Sequence, residues 1–269
     1  MLGGTGAGIG AGIGAGACCG RVYVWLVVAL SCLYMRVVRA GCMVTPDDHG
    51  YVFINQATIP NSAFRQCLEL KSVKMGSAVE SIGDSAFNGA TALETVDFGE
   101  SSAVASIGAH AFRECTSLVS LTIPDSVTEL GNSAFSGCSN LESVVIGASL
   151  KAINTHDFGS CTSLKTLTIG SSVESIGQSA FNGATALETV DFGESSAVTS
   201  IGAHAFRECT SLVSLTIPDS VTEIGYAAFL QCTSMRTVSF GSSVSKIGSQ
   251  AFRDCFALQS VSLSESVLE

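Results

Sequence analysis

Cysteine and histidine are the residues here best equipped for chemistry, and both recur on a fixed beat. Of 11 cysteines, seven stand three residues after a phenylalanine: Cys67, Cys115, Cys138, Cys161, Cys209, Cys232 and Cys255. Such a ladder could close disulfides or ligate a metal. Tetrahedral thiolate sites use Cys-x-x-Cys spacings or histidine partners, and the ladder offers neither. Ala90 and Ala184 fill the same place in two further copies, and a position that accepts Cys or Ala is small, buried and apolar. The spacing therefore predicts a column of reduced thiols, with no metal and no cofactor, although adjacent rungs would lie near the roughly 4.4–6.8 Å Cα separation that a disulfide needs.

Three of the 4 histidines, His110, His156 and His204, each precede a phenylalanine by two residues. They fall in alternate copies, about 10 Å apart at strand spacing, which is too far for shared ligation. Serine and aspartate are scattered by the same periodicity, whereas a catalytic triad needs a local irregularity around its nucleophile. The expectation is a protein that is not an enzyme.

The elements behind this beat are repeats. The phenylalanines are Phe64, Phe87, Phe112, Phe135, Phe158, Phe181, Phe206, Phe229 and Phe252, at intervals of 23 or 25 residues. A 94-residue superperiod shows that four copies were duplicated together, since residues 79–129 and 173–223 differ only at Asp84/Gln178 and Ala105/Thr199. Five residues before most of these phenylalanines stands Ile or Leu, as in Ile82, Leu130 and Ile201, usually followed by a turn glycine. After it, apolar residues return and alternate, as in Leu118, Leu121 and Ile123, the period of a short strand. One copy cannot bury both of its apolar edges, but copies stacked at about 4.8 Å build a continuous core about 40 Å long.

The pattern Ala-Phe-x-x-Cys-x-x-Leu-x-x-Leu-x-Ile-Pro-x-Ser-Val-x-x-Ile-Gly, written out at residues 111–131 and 205–225, resembles the BspA-type leucine-rich repeat family. The resemblance runs from about residue 55 to the end. It implies a leucine-rich repeat solenoid of the α/β-horseshoe class, rich in β structure, with nine repeats and a parallel sheet on the concave side. It also implies a surface or secreted protein that adheres or binds protein.

Three regions follow: residues 1–40 as a leader, 41–58 as an N-terminal capping segment and 59–269 as the solenoid, which stops in mid-repeat and is expected to lack a C-terminal cap. Residues 22–35 form a fourteen-residue apolar run after Arg21, with Val38 and Ala40 spaced for cleavage after Ala40. That length suits a signal-peptide core better than a membrane span of about 20 residues. Arg36 and Arg39 follow the run and leave a single-pass anchor as the alternative. Gly10, Gly12 and Ala15 approach a dinucleotide-binding fingerprint, yet no strand precedes them. In the first repeat Pro60 replaces the turn glycine and Gln56 an inward Val, and two repeats carry an inserted pair near Phe98–Ala103 and Phe192–Ala197, expected as larger loops.

The formal net charge is -10, which argues against nucleic-acid partners. The outward strand positions are nearly all hydroxyls. Ser120, Thr122, Ser143, Thr166, Thr168, Thr189, Asp191, Ser214, Thr216 and Thr237 are the candidate ligand-binding residues, because solenoids bind on extended sheet faces. The one Trp, Trp25, lies in the leader. Without aromatic anchors, weak multivalent contact with a cell-surface or matrix protein or glycan fits better than one strong site. Self-association through Val261, Leu263 and Val267 is a structural alternative, and ice binding by the hydroxyl rows a remote one. Membrane contact is expected only through an uncleaved leader.

Overall fold

The computed structural model describes residues 42–263. The leader and Val267 lie outside the described residues. Two kinds of strand alternate. The longer are β1 (Tyr51–Ile54), β3 (Ser72–Met75), β5 (Thr95–Asp97), β7 (Ser120–Ile123), β9 (Ser143–Ile146), β11 (Thr166–Thr168), β13 (Thr189–Asp191), β15 (Ser214–Thr216), β17 (Thr237–Ser239) and β19 (Ser260–Ser262). Between them come two-residue strands: β2 (Thr58–Ile59), β4 (Ser81–Ile82), β6 (Ser106–Ile107), β8 (Glu129–Leu130), β10 (Ala152–Ile153), β12 (Ser175–Ile176), β14 (Ser200–Ile201), β16 (Glu223–Ile224) and β18 (Lys246–Ile247). Every pairing is parallel and joins equivalent positions of successive repeats, as in Leu167 with Val190 and Ile176 with Ile201. The chain is a parallel-strand β-solenoid.

The third side, which carries the Ala-Phe pair, is a run of turns, and no helix occurs among the described residues. The reason is local: each repeat places left-handed backbone two residues before and two after its phenylalanine, such as His110 (φ 56) and Glu114 (φ 59) around Phe112. Left-handed residues cannot sit inside a right-handed helix. They turn alternate amides along the solenoid axis, so that His110, Phe112 and Glu114 donate to the carbonyls of Asn132, Ala134 and Ser136 in the next repeat at 3.0, 2.7 and 2.8 Å. Backbone hydrogen bonds thus pass from repeat to repeat on this side as well, as buried amides require.

The phenylalanines form a single column. Neighbouring rings from Phe64 to Phe252 stack with centroids 4.8–5.3 Å apart and planes within 10° of parallel. The eight rings from Phe64 to Phe229 are fully buried, each contributing roughly 1.5–3 kcal/mol of apolar burial. At the far end Phe256, Val261 and Leu263 are exposed.

The segment expected as a cap supplies another layer of the same sheet, since β1 pairs with β3 through Val52 and Val73. Here one expectation needs correcting. Cys67 is not a reduced thiol but forms a disulfide with Cys42, whose Cα lies 5.0 Å away. The segment ahead of β1 buries Cys42 beside the first rung of the ladder, which puts an unforeseen partner within bonding distance.

The turn glycine that stands four residues before most of the phenylalanines lies directly against the previous turn. A Cβ on Gly202 would fall 2.8 Å from the Gly177 carbonyl carbon, and one on Gly177 2.7 Å from that of Asn154. Asn154 is itself a substitution for that glycine, and there the short-strand ladder breaks: β2-β4-β6-β8 form one sheet and β10-β12-β14-β16-β18 another. The long-strand ladder breaks elsewhere, into β1-β3-β5, β7-β9-β11-β13 and β15-β17-β19. Each of these breaks directly follows an inserted pair, which offsets the next strand.

Candidate functional site

The ten hydroxyl-row residues all lie on the long strands. Eight are exposed, while Ser143 and Thr168 are half-buried. Ser120, Ser143, Thr166 and Thr189 form one row across β7, β9, β11 and β13, and Thr122, Val145, Thr168 and Asp191 the next. Ser214 and Thr216 pair instead with Thr237 and Ser239 in the following sheet. The sequence anticipated one uninterrupted face. The fold divides it at a seam between β13 and β15.

Asp191, read from sequence only as an outward residue, also builds the seam. Its Oδ1 accepts the Gly193 N–H at 2.8 Å, and Gly193 has a φ of 71°. Asp97 does the same for Gly99 at 2.8 Å. Asp97 has a second partner, the Lys74 Nζ at 3.0 Å. The Gly99 amide and then Lys74 hold the Asp97 carboxyl below its usual range, and hydrogen bonding to Asp97 raises the Lys74 ammonium. Lys165 and Glu142 pair across neighbouring strands at 3.0 Å. Such exposed pairs contribute little stability but fix the charge pattern of the face.

An open cleft of about 600 Å³ lies at the β13/β15 seam, lined by residues including Asp191, Glu194, Asp219, Ser220, Ser239 and Phe240. Sequence reading missed it. The signal was present in the repeated Asp-Phe-Gly-Glu of the two inserts, read there only as loop lengthening.

A second omission is Asp157, which is completely buried. It stands in the column that is alanine in the other repeats, such as Ala134 and Ala180. Its Oδ2 accepts the Asn154 N–H at 2.6 Å and its Oδ1 the Ala134 N–H at 3.4 Å. Burial pushes its carboxyl up to about 7, against the opposing pull of these amides. The Asn154 side-chain amide donates to the Leu130 carbonyl, standing in for the backbone pairing that glycine makes elsewhere.

The remaining ladder cysteines are free and buried. Each thiol donates to the phenylalanine carbonyl of the preceding repeat, as from Cys138 to Phe112 at 3.2 Å and from Cys232 to Phe206 at 3.3 Å. Burial pushes Cys115 and Cys161 up to about 12 and raises Cys138 and Cys209 as well. Those four thiols stay protonated and are poor nucleophiles. His110, His156 and His204 occupy left-handed turn positions with φ of 56–58°, a conformation in which histidine is enriched. Among the described residues no three His, Cys, Asp or Glu side chains gather as a metal site would require.

Fold and surface together define a repeat scaffold that presents a largely polar face along its long strands. The sequence matches the family described as BspA type Leucine rich repeat region, in six copies, over residues 57–188 and 185–269. The chain belongs to that family. Among solved structures, a leucine-rich repeat protein from Bacteroides ovatus is 23% identical, with a TM-score of 0.53 over 86% of this chain and 81% of that one. A leucine rich cell surface protein from Faecalibacterium prausnitzii is 24% identical, with a TM-score of 0.46 over 88% of this chain and 86% of that one. No curated protein matches the chain. Among the described residues no helix is long and apolar enough to cross a membrane.

Proposed function

We propose that this protein is a non-catalytic, secreted or surface-displayed scaffold that binds protein or glycan through the outward face of its long strands. The observation that carries the reading is the hydroxyl row Ser120, Ser143, Thr166 and Thr189 across β7 to β13, with Thr122 and Thr168 in the row beside it, held in register at strand spacing and mostly open to solvent. Rows of this kind offer many equivalent donors and acceptors and no dominant anchor, which suits repeated weak contacts. Two further features support an extracellular setting. The Cys42–Cys67 disulfide suits an oxidising compartment, and the leader has the composition of a secretion signal. The buried, hydrogen-bonded thiols weigh against a reaction at the ladder.

The test is a variant carrying Ser120→Lys, Thr122→Lys and Thr166→Lys, three substitutions on one sheet and outside the seam cleft. Circular dichroism should remain that of the parent, while attachment to immobilised host-cell or matrix surfaces should be lost. Unchanged attachment would remove this face from consideration.

A further inference from the structure

The duplicated blocks supply an internal comparison at the two seams. In the first block, the seam carboxylate Asp97 uses one oxygen for the Gly99 amide and the other for the Lys74 ammonium at 3.0 Å. In the second block Asp191 keeps the amide bond to Gly193, but the residue equivalent to Lys74 is Thr168. Thr168 sits beside Asp191 across the β11/β13 pairing, just as Lys74 sits beside Asp97 across β3/β5. Thr168 carries no charge to offer, so Oδ2 of Asp191 lacks the cation that its counterpart has.

The same comparison holds for the hydroxyls. In the first block Ser126 Oγ bonds Ser102 Oγ at 3.3 Å. In the second, the equivalent Ser220 Oγ is buried and without a partner, and Ser220 lines the cleft. Ser239 and Phe240 replace Val145 and Ile146, which makes the lining of the second seam more polar at one position and bulkier at the next. Glu194 and Asp219 add two further carboxylates, and no lysine or arginine lines the cleft.

We infer that the β13/β15 cleft is a binding subsite for a primary ammonium group, supplied by a lysine side chain of a partner polypeptide. The ammonium pairs with Asp191 Oδ2 as Lys74 Nζ pairs with Asp97 Oδ2 in the first block, and Glu194 and Asp219 add negative charge around it. A lysine ammonium donates three hydrogen bonds and accepts none, which matches a cleft of carboxylate and hydroxyl oxygens. A phosphate or sulfate group is repelled by the same lining. The inference deepens the proposed binding role by naming a ligand chemistry for one place on the face.

The full chain supplies the test, because the first block shows how to close the site from within. Thr168→Lys reproduces the Lys74 arrangement and should place an internal ammonium on Asp191 without disturbing the fold. The probe is the peptide acetyl-Gly-Lys-Gly-amide at low salt, followed by NMR titration of the amides around Gly193 and Ser220. The parent should bind it saturably; Thr168→Lys and Asp191→Asn should each weaken binding about fivefold or more, the value of a charge-assisted hydrogen bond. The same peptide acetylated on its lysine should not bind. Equal binding by Thr168→Lys, equal binding of the acetylated peptide, or no saturable binding by the parent would each overturn the inference. A glucosamine dimer that binds as tightly as the peptide would overturn the assignment to a polypeptide. The strand-face variant Ser120→Lys/Thr122→Lys/Thr166→Lys should still bind the peptide, which separates failure of this subsite from failure of the wider adhesive reading.

Discussion

Asn154 donates its backbone N–H to Oδ2 of Asp157 at 2.6 Å, and the two residues replace the glycine and the alanine that the same positions hold in most other repeats. They act as one unit. The short-strand ladder stops at Asn154, and the Asp157 carboxyl accepts the amide left over.

The buried carboxyl makes this unit sensitive to pH. Its folded-state pKa is raised to about 7 by burial, while the unfolded chain titrates near the ordinary value of about 3.9. The protonated acid is the form that the fold prefers. The associated stability is therefore complete below pH ~4, falls as pH rises, and is gone above pH ~7, with a span of up to roughly 4 kcal/mol. Urea titrations should show the parent losing stability across this window. Asp157→Asn should flatten the profile, and an unchanged profile would show that another group is responsible.

Restoring the consensus in two steps tests the coupling. Asp157→Ala alone leaves the Asn154 amide without its acceptor and should cost about 1–3 kcal/mol at pH 4. Adding Asn154→Gly lets the turn return to the geometry of its neighbours and should recover most of that loss. A double-mutant cycle measures the interaction directly, and simple additivity would deny it.

Removing one ring from the phenylalanine column should be costly wherever it is done. Phe158 stacks on Phe135 and Phe181 with centroids 5.3 Å away on both sides. Phe158→Ala opens a cavity between layers that cannot collapse, since strand spacing is fixed by hydrogen bonds. A loss of about 3–5 kcal/mol is expected in denaturant unfolding.

Two glycines should fail for different reasons. Gly183 has a φ of 78°, yet a Cβ there would meet nothing closer than 3.7 Å. Gly183→Ala therefore tests backbone strain alone, about 1–2 kcal/mol. Gly202 lacks positive φ, but its Cβ would lie 2.8 Å from the Gly177 carbonyl carbon. Gly202→Ala should be the more damaging in thermal melts and should open the ladder between β12 and β14.

The disulfide closes a sequence separation of 25 residues, which corresponds to roughly 3.5 kcal/mol of unfolded-state restriction. Reduction, or Cys42→Ala, should loosen the first turn selectively. Hydrogen exchange ought to quicken at the amides of β1 and β3 and stay unchanged from β9 onward, since solenoids couple mainly between neighbours.

The solenoid was legible in the sequence because the phenylalanine period and the strand alternation describe the same layer twice. Phe112 and its successors stack as their spacing requires, and Ser120 through Thr237 lie on the strands assigned to them. The turn side was harder to see, since left-handed backbone at His110 or Glu114 is not a strong preference of either residue. The disulfide was missed because Cys42 falls off the repeat, in a segment whose position no periodicity fixes. The seams were missed because two extra residues look harmless in a loop, whereas in a ladder they open the one long-strand pairing that follows them.

The interruptions of the two ladders never fall at the same level. The long strands part between β5 and β7 and between β13 and β15, while the short strands part between β8 and β10. Where one side is open, the Ala-Phe side continues unbroken, as in Phe135 donating to Asp157 and Phe181 to Ala205. The joints are staggered like those in coursed masonry. Pulled along its axis, the molecule presents no cleavage plane among the described residues, and even at an interruption two bonded sides must be torn before adjacent turns can separate.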